Sequence, residues 1–247
     1  MESKFKLPTE TVELPSKGML YPQDSALAKG TLEMKYMTAK EEDILTNQNY
    51  LLNGEVIDKL LQSLIVTEGV DYGELLVGDK NALLIAARIL SYGKDYEFTY
   101  SGEEIIVDLT TIQEKQVNID LSSNRDNEFT FILPSSQATI TFKLLTHRDE
   151  QSIKKEIEGL KKLNKTSSTQ VTTRLKYLIT SVNGDRDSKT IREFIDNYLL
   201  AKDARALREE YTNTAPDVVL KFTYTDNSGR EEEVDLPIGI SFFWPDA

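Results

Sequence analysis

The spacing of apolar residues switches between two periods along this chain, and that switching limits its fold more than any single residue does. Between Thr38 and Ser91 the leucines, isoleucines and valines recur at helical spacing, whereas from Tyr96 to Leu145 they recur every second residue. Helical spacing returns after Asp149, and alternation returns from Val218 to Leu236. A chain holding separate blocks of both periods predicts an α+β fold, with a helical core and small antiparallel sheet or hairpin elements.

The blocks resolve into elements. Pro8, Pro15 and Pro22, with Gly18 and Gly30, punctuate the first thirty residues and predict an extended N-terminal arm with little regular structure. Thr31 to Met37 alternates and reads as a half-buried strand anchoring that arm. Thr38 and Glu41 have the spacing of a capping box, opening a helix that carries Ile44, Leu45, Leu51 and Leu52 up to Asn53-Gly54. A second helix, with Val56, Ile57, Leu60, Leu61, Leu64 and Ile65, is expected to pack on it as a hairpin. Asp79 is placed to cap a third helix over Asn81 to Ser91, ended by Gly93. Tyr96–Tyr100 and Ile105–Leu109 read as a hairpin around Ser101-Gly102. Further strands are predicted at Val117–Leu121, Glu128–Leu133 and Thr139–Leu145, with Pro134 in a turn. Helices are predicted over Glu150–Leu163 and Val171–Val182, separated by the polar run Asn164–Thr169 as a hinge or helix break. One longer helix opens at Asp187-Ser188 and carries Ile191, Phe194, Ile195, Tyr198, Leu199 and Leu207. A hairpin of Val218–Tyr224 and Glu232–Leu236 precedes the apolar tail Ile238–Pro245. The expected organisation is an arm over 1–30, a helical hairpin with antiparallel strands over 31–148, and a helical segment with the closing hairpin and tail over 149–247.

Chemistry is sparse. The 247 residues include no cysteine and a single histidine, His147, which leaves no disulfide, no thiolate metal site and one candidate general base. His147 lies at a strand-to-helix junction without a Gly-x-Ser-x-Gly motif, and no catalytic role is assigned to it. Asn183-Gly-Asp-Arg-Asp187 lacks the central glycine and closing glutamate of a calcium loop and reads as a turn followed by a helix cap. The acids Glu41, Glu42, Asp43 and Glu231 to Glu233 are adjacent, so they diverge from one another and read as solvated. Gly73 and Gly78 belong to no nucleotide-binding pattern, and no cofactor is expected. Lys154, Lys155, Lys161, Lys162 and Lys165 lack interleaved aromatics, and a formal net charge of -12 repels phosphates, so no nucleic-acid partner is expected. No apolar run approaches the roughly 20 residues of a membrane span, and the start lacks the apolar core of a signal peptide. A soluble, cytosolic, non-enzymatic protein is expected.

Two segments exceed what a self-contained domain requires. Leu14, Pro15, Lys17, Tyr21 and Pro22 near the start, and Phe242, Phe243, Trp244 and Pro245 at the end, put proline and aromatic anchors where chains usually fray. Covering Phe242 to Trp244 is worth on the order of 10 kcal/mol at about 25 cal/mol per Å². Two readings stand: the tail closes the chain's own core as a last strand, or it anchors a partner.

Leu14-Pro-Ser-Lys-Gly-Met-Leu-Tyr-Pro22, Met37 to Leu45, Asp58-Lys-Leu-Leu61, Gly78-Asp-Lys80, Ala87-Arg-Ile89 and Tyr92 to Tyr96 follow one another in an order that resembles a known family. The closing Leu236-Pro237 and Phe243-Trp-Pro245 extend the likeness. The family is that of the baseplate hub and hub-assembly proteins of T4-like contractile-tailed phages. The resemblance implies partners among baseplate hub or tape-measure proteins, with possible oligomerisation within an assembly complex. It implies a chaperone-like assembly factor in the host cell cytoplasm, or a permanent subunit of the virion tail baseplate. A hub-associated cell-wall hydrolase is the alternative of another class, and the resemblance implies no active site. Some members place cysteine pairs in hairpins corresponding to Tyr100–Glu103 and Thr225–Gly229; with no cysteine here, a zinc-stabilised hairpin does not carry over.

Overall fold

Alternation in Thr31–Lys35 (β2) turns Leu32 and Met34 inward and leaves an edge that needs a partner, which Thr9–Glu13 (β1) supplies. The computed structural model describes residues 7–117, 126–163, 169–225 and 229–243. Val12 lies opposite Leu32 in the antiparallel register, and between the two strands Leu14, Leu20, Tyr21 and Leu27 are buried. The arm expected over 1–30 with little regular structure is, in its described part, a strand, a loop and the 3-10 turn Ala26–Lys29 folded onto the domain. Its apolar residues decide this, because each loses its contact with water only by folding back. Gly18 and Gly30 make the crossing possible: both have positive φ, and a Cβ on Gly18 would lie 2.4 Å from the Ala28 carbonyl oxygen.

The helical part follows as Ala39–Leu45 (α1), Gln48–Asn53 (α2), Val56–Leu64 (α3) and Val77–Tyr92 (α4). Thr38 and Glu41 form the expected capping box, Glu41 accepting from the Thr38 N–H at 3.0 Å and from its hydroxyl at 2.6 Å. The single helix expected up to Leu52 is two, because the Asn47 side chain accepts from the N–H groups of Asn49 and Tyr50 and starts a new one. Val56, Leu60, Leu61 and Leu64 of α3 and Leu83, Leu84, Ile85 and Ala87 of α4 are buried, as their spacing predicts.

Asp95–Tyr100 (β3) and Glu103–Asp108 (β4) make the expected hairpin, with Ser101 and Gly102 both at positive φ as its two-residue turn demands. Phe129–Ile132 (β5) and Thr139–Phe142 (β6) pair next, flanking the Pro134 turn. Of the strand expected at Val117–Leu121, Val117 belongs to no strand and the remainder lies outside the described residues, as do 164–168 of the polar run.

His147–Leu163 (α5) and Gln170–Leu178 (α6) are helical, but the helix expected to reach Val182 stops earlier. Ile179–Val182 (β7) instead joins the sheet, Ile140 opposite Val182. Three of its four residues are β-branched, and β6 offered an open edge. The long helix expected after Asp187 is also two, Ser188–Asn197 (α7) and Ala201–Thr214 (α8). Asp187 caps the first as expected. The second is re-aimed at the Pro134 turn, where buried Asp203 accepts from the N–H groups of Ser135 and Ser136 at 2.7 and 2.9 Å.

Lys221–Thr225 (β8) and Glu231–Asp235 (β9) form the closing hairpin, which lies against the β3–β4 hairpin. Edge-to-face rings join them: Phe98 on Phe222, and Tyr100 on Phe222 and Tyr224. The tail turns into the short helix Ile240–Phe243 (α9), with Phe242 and Phe243 fully buried and Phe242 edge-on to Tyr96 at 4.8 Å. These two rings close the chain's own core, as a helix and not as a strand.

Two outcomes follow from this packing. Phe242→Ala should destabilise by about 3–5 kcal/mol in urea unfolding, while Ile106→Ala, on a residue 64% exposed, should stay within about 0.5 kcal/mol. Burial alone would raise the Glu41 carboxyl, but hydrogen bonds from Lys35, Thr38 and Ser63 outweigh it and hold the pKa at about 2, below its ordinary 4.5. A depressed carboxyl stabilises the fold fully above the ordinary value and ceases to do so as pH falls toward about 2. Thermal unfolding of Glu41→Gln between pH 2 and 6 should therefore show a weaker loss of Tm on acidification than the parent chain.

Candidate functional site

Two segments carrying the family resemblance, Leu14–Pro22 and Asp58–Leu61, meet the start of α4 at Asp79 and Lys80. Asp79 was expected to cap a helix; α4 instead begins at Val77, so Asp79 lies inside the first turn and is fully buried. Its carboxylate accepts from the Ser16 N–H at 2.9 Å, the Ser16 hydroxyl at 2.6 Å and the Tyr21 hydroxyl at 2.6 Å. The Tyr21 oxygen in turn accepts from the Leu76 N–H at 2.9 Å. Burial pushes the Asp79 carboxyl above its ordinary range against these three donors, and burial together with Asp79 pushes the Tyr21 phenol up.

Gly78 has a different reason to be small. A Cβ there would lie 1.9 Å from the Pro216 carbonyl oxygen, so the chain ahead of β8 can cross α4 only at this residue. Asn81 fixes the same crossing by donating to Asp217 at 3.0 Å.

Lys80 points into a second buried cluster. It meets Asp58 of α3 at 2.5 Å, and Asp58 also accepts from Tyr72 at 3.0 Å and from Gln151 of α5 at 3.0 Å. His147 stands 3.7 Å from Asp58, with one ring nitrogen 3.4 Å from Lys80 and its ring edge-on to Tyr72. Burial pushes its pKa down; Asp58 pulls it up and Lys80 lowers it. Its ring contacts are thus with Asp58, Lys80 and Tyr72.

The residues singled out as partner anchors divide. Leu14, Pro15 and Tyr21 of the N-terminal loop are buried, and so are Phe242 and Phe243 of α9. Lys17 and Pro22 are exposed, Lys17 pairing with Glu114 at 2.6 Å and Glu13 at 3.1 Å. Trp244 and Pro245 lie outside the described residues. The structure thus brings Leu14 to Tyr21 together with Gly78-Asp79-Lys80, and it places the tail on another part of α4, beside Tyr96. Sequence reading missed Asp79, Asp58 and Lys80 as a joint. The available signal was an acid followed by a lysine inside the first turn of an otherwise apolar helix.

Beside the joint a cleft of about 620 Å³ opens between Pro22, Asp24, Glu74, Asp126 and Lys143. Asp71 and Glu74 on its wall are engaged by Arg148, at 2.6 and 3.2 Å. Among the described residues, no three acids or histidines are grouped to hold a metal ion, and no helix is long and apolar enough to cross a membrane.

Such geometry defines an α+β scaffold whose most distinctive residues fasten its own distant segments together. The family model described as T4 bacteriophage base plate protein matches residues 7–244, nearly the whole chain, and the chain belongs to that family. Comparison with curated proteins gave no match, nor did comparison with solved structures.

The joint is open to measurement. Asp79→Ala should cost about 3 kcal/mol in urea unfolding, because it leaves buried donors on Ser16 and Tyr21 unpaired. A double-mutant cycle of Tyr21→Phe with Asp79→Asn should give a coupling of about 1 kcal/mol or more; additive effects would show that the two do not act as one unit.

Proposed function

We propose that this chain serves the baseplate hub by binding other hub or tape-measure proteins during tail assembly, as a chaperone-like factor without catalysis of its own. Family membership supports a structural or assembly role in a phage baseplate. The single observation that carries the non-catalytic reading is how the distinctive polar residues are used. Ser16, Tyr21 and Asp79 bond to one another in the core, and Asp58, Lys80 and His147 meet in a second, partly buried cluster between α3, α4 and α5. A catalytic group must instead face a space that substrate can enter. An acidic surface, with a net charge of -12, keeps such a factor soluble.

A second reading, a permanent subunit of the hub, is favoured by the burial of Leu14, Tyr21, Phe242 and Phe243. These segments are folded before any partner arrives, as suits a building block added to a growing structure.

Quantitative mass spectrometry of purified virions and of hub intermediates from infected cells separates the two. The assembly-factor reading expects the chain in intermediates and its absence from finished tails; stoichiometric presence in tails overturns that reading in favour of the subunit. Cell-wall hydrolysis by the purified chain, abolished by changing one carboxylate, would overturn the non-catalytic reading.

A further inference from the structure

We infer that the groove between α5, α6 and α8 is a docking site for an amphipathic, acid-bearing helix of another baseplate protein; this rests on the protein-binding role proposed above. The groove encloses about 420 Å³. Its floor is apolar and well packed, with Ile153, Leu175 and Leu178 buried. Its wall is apolar and open among the described residues: Val171 is 51% exposed and Ile157 half-buried. Leaving that surface in water is unfavourable, and a partner's apolar side chains relieve the cost.

Charge selects the partner. Arg174 and Arg208 flank the apolar strip, and both are exposed. Arg174 is engaged by Glu150, whereas the Arg208 guanidinium has no hydrogen bond or ion pair among the described residues. Lys161 and Lys162 follow Ile157 by about one turn along α5 and are also exposed. Among the described residues, two arginines and no acid line this apolar groove, on a chain of net charge -12, and they complement a segment with carboxylates beside an apolar stripe.

Backbone chemistry selects its conformation. All three walls are helices, whose main-chain groups are bonded internally, so an extended strand laid there finds no ladder to join. A helix supplies apolar side chains at every third or fourth position without needing main-chain partners.

The test uses the full chain, expressed during infection, with a photo-crosslinking amino acid in place of Val171. After irradiation, mass spectrometry should identify one peptide of another baseplate protein, with apolar residues at helical spacing and an Asp or Glu nearby. Arg208→Glu should lower the cross-link about tenfold or more, with an unchanged urea midpoint, and changing the partner's acid to Arg should restore it. A cross-link to a second copy of this chain, a cross-link to no protein, or a yield indifferent to Arg208→Glu overturns the proposal. If hub assembly proceeds with the chain in place while Val171→Asp is present, the groove fails and the proposed function stands. If the intact chain is absent from hub intermediates as well as tails, the proposed function itself fails.

Discussion

A carboxylate taken out of water must be given hydrogen-bond donors, and Asp79 takes its donors from a segment 63 residues earlier in the chain. The rest of the N-terminal architecture depends on that exchange. Once Ser16 and Tyr21 are drawn to Asp79, Leu14 and Leu20 are carried into the core, and β1 is held where it pairs with β2. The next residue, Lys80, reaches Asp58 and so ties α4 to α3, while Gly78 lets the chain before β8 lie directly on the helix. Three consecutive residues thus fix four parts of the molecule.

The same device recurs. Glu41 joins α1 to β2 through Lys35 and to α3 through Ser63, and Asp203 holds α8 to the Pro134 turn. Each acid accepts several donors from elements distant in sequence. Asp79 and Asp203 take neutral donors, which avoids burying a matched cation, whereas Glu41 adds the partly buried Lys35 to its neutral donors. Such joints are directional, so they set angles between elements that apolar packing alone would leave loose.

Periodicity made the element types legible, because burying one face imposes it on every residue of the element; α3, α4 and the β3–β4 hairpin follow their apolar spacing closely. What escaped were decisions made by distant partners. Ile179–Val182 has spacing compatible with the end of α6 and becomes a strand because β6 lies beside it. The loop from Leu14 to Tyr21 looks extended by its prolines and glycines, and it folds back because Asp79 waits under it. Asp79 reads as a cap by position, since no local property of an acid near a helix start reveals that it will be buried. The candidate site was legible as a set of motifs and illegible as a set of contacts, for the contacts join residues that no periodic pattern relates.

The buried residues Tyr21, Phe242 and Phe243 also bear on how the molecule recognises others. A segment that folds only on binding must offset its ordering entropy from the energy of the interface, and its affinity falls accordingly. Here Tyr21, Phe242 and Phe243 are already seated in this chain's core, so the cost is met in folding and not at the encounter. Recognition then rests on surfaces rigid before contact, where shape and charge are fixed by the packing beneath them. The α5–α6–α8 groove has that character, since its floor residues Ile153, Leu175 and Leu178 are themselves part of the core. Its apolar strip and its two arginines are therefore held in register by the contacts that stabilise the fold, and a complementary helix meets both at once.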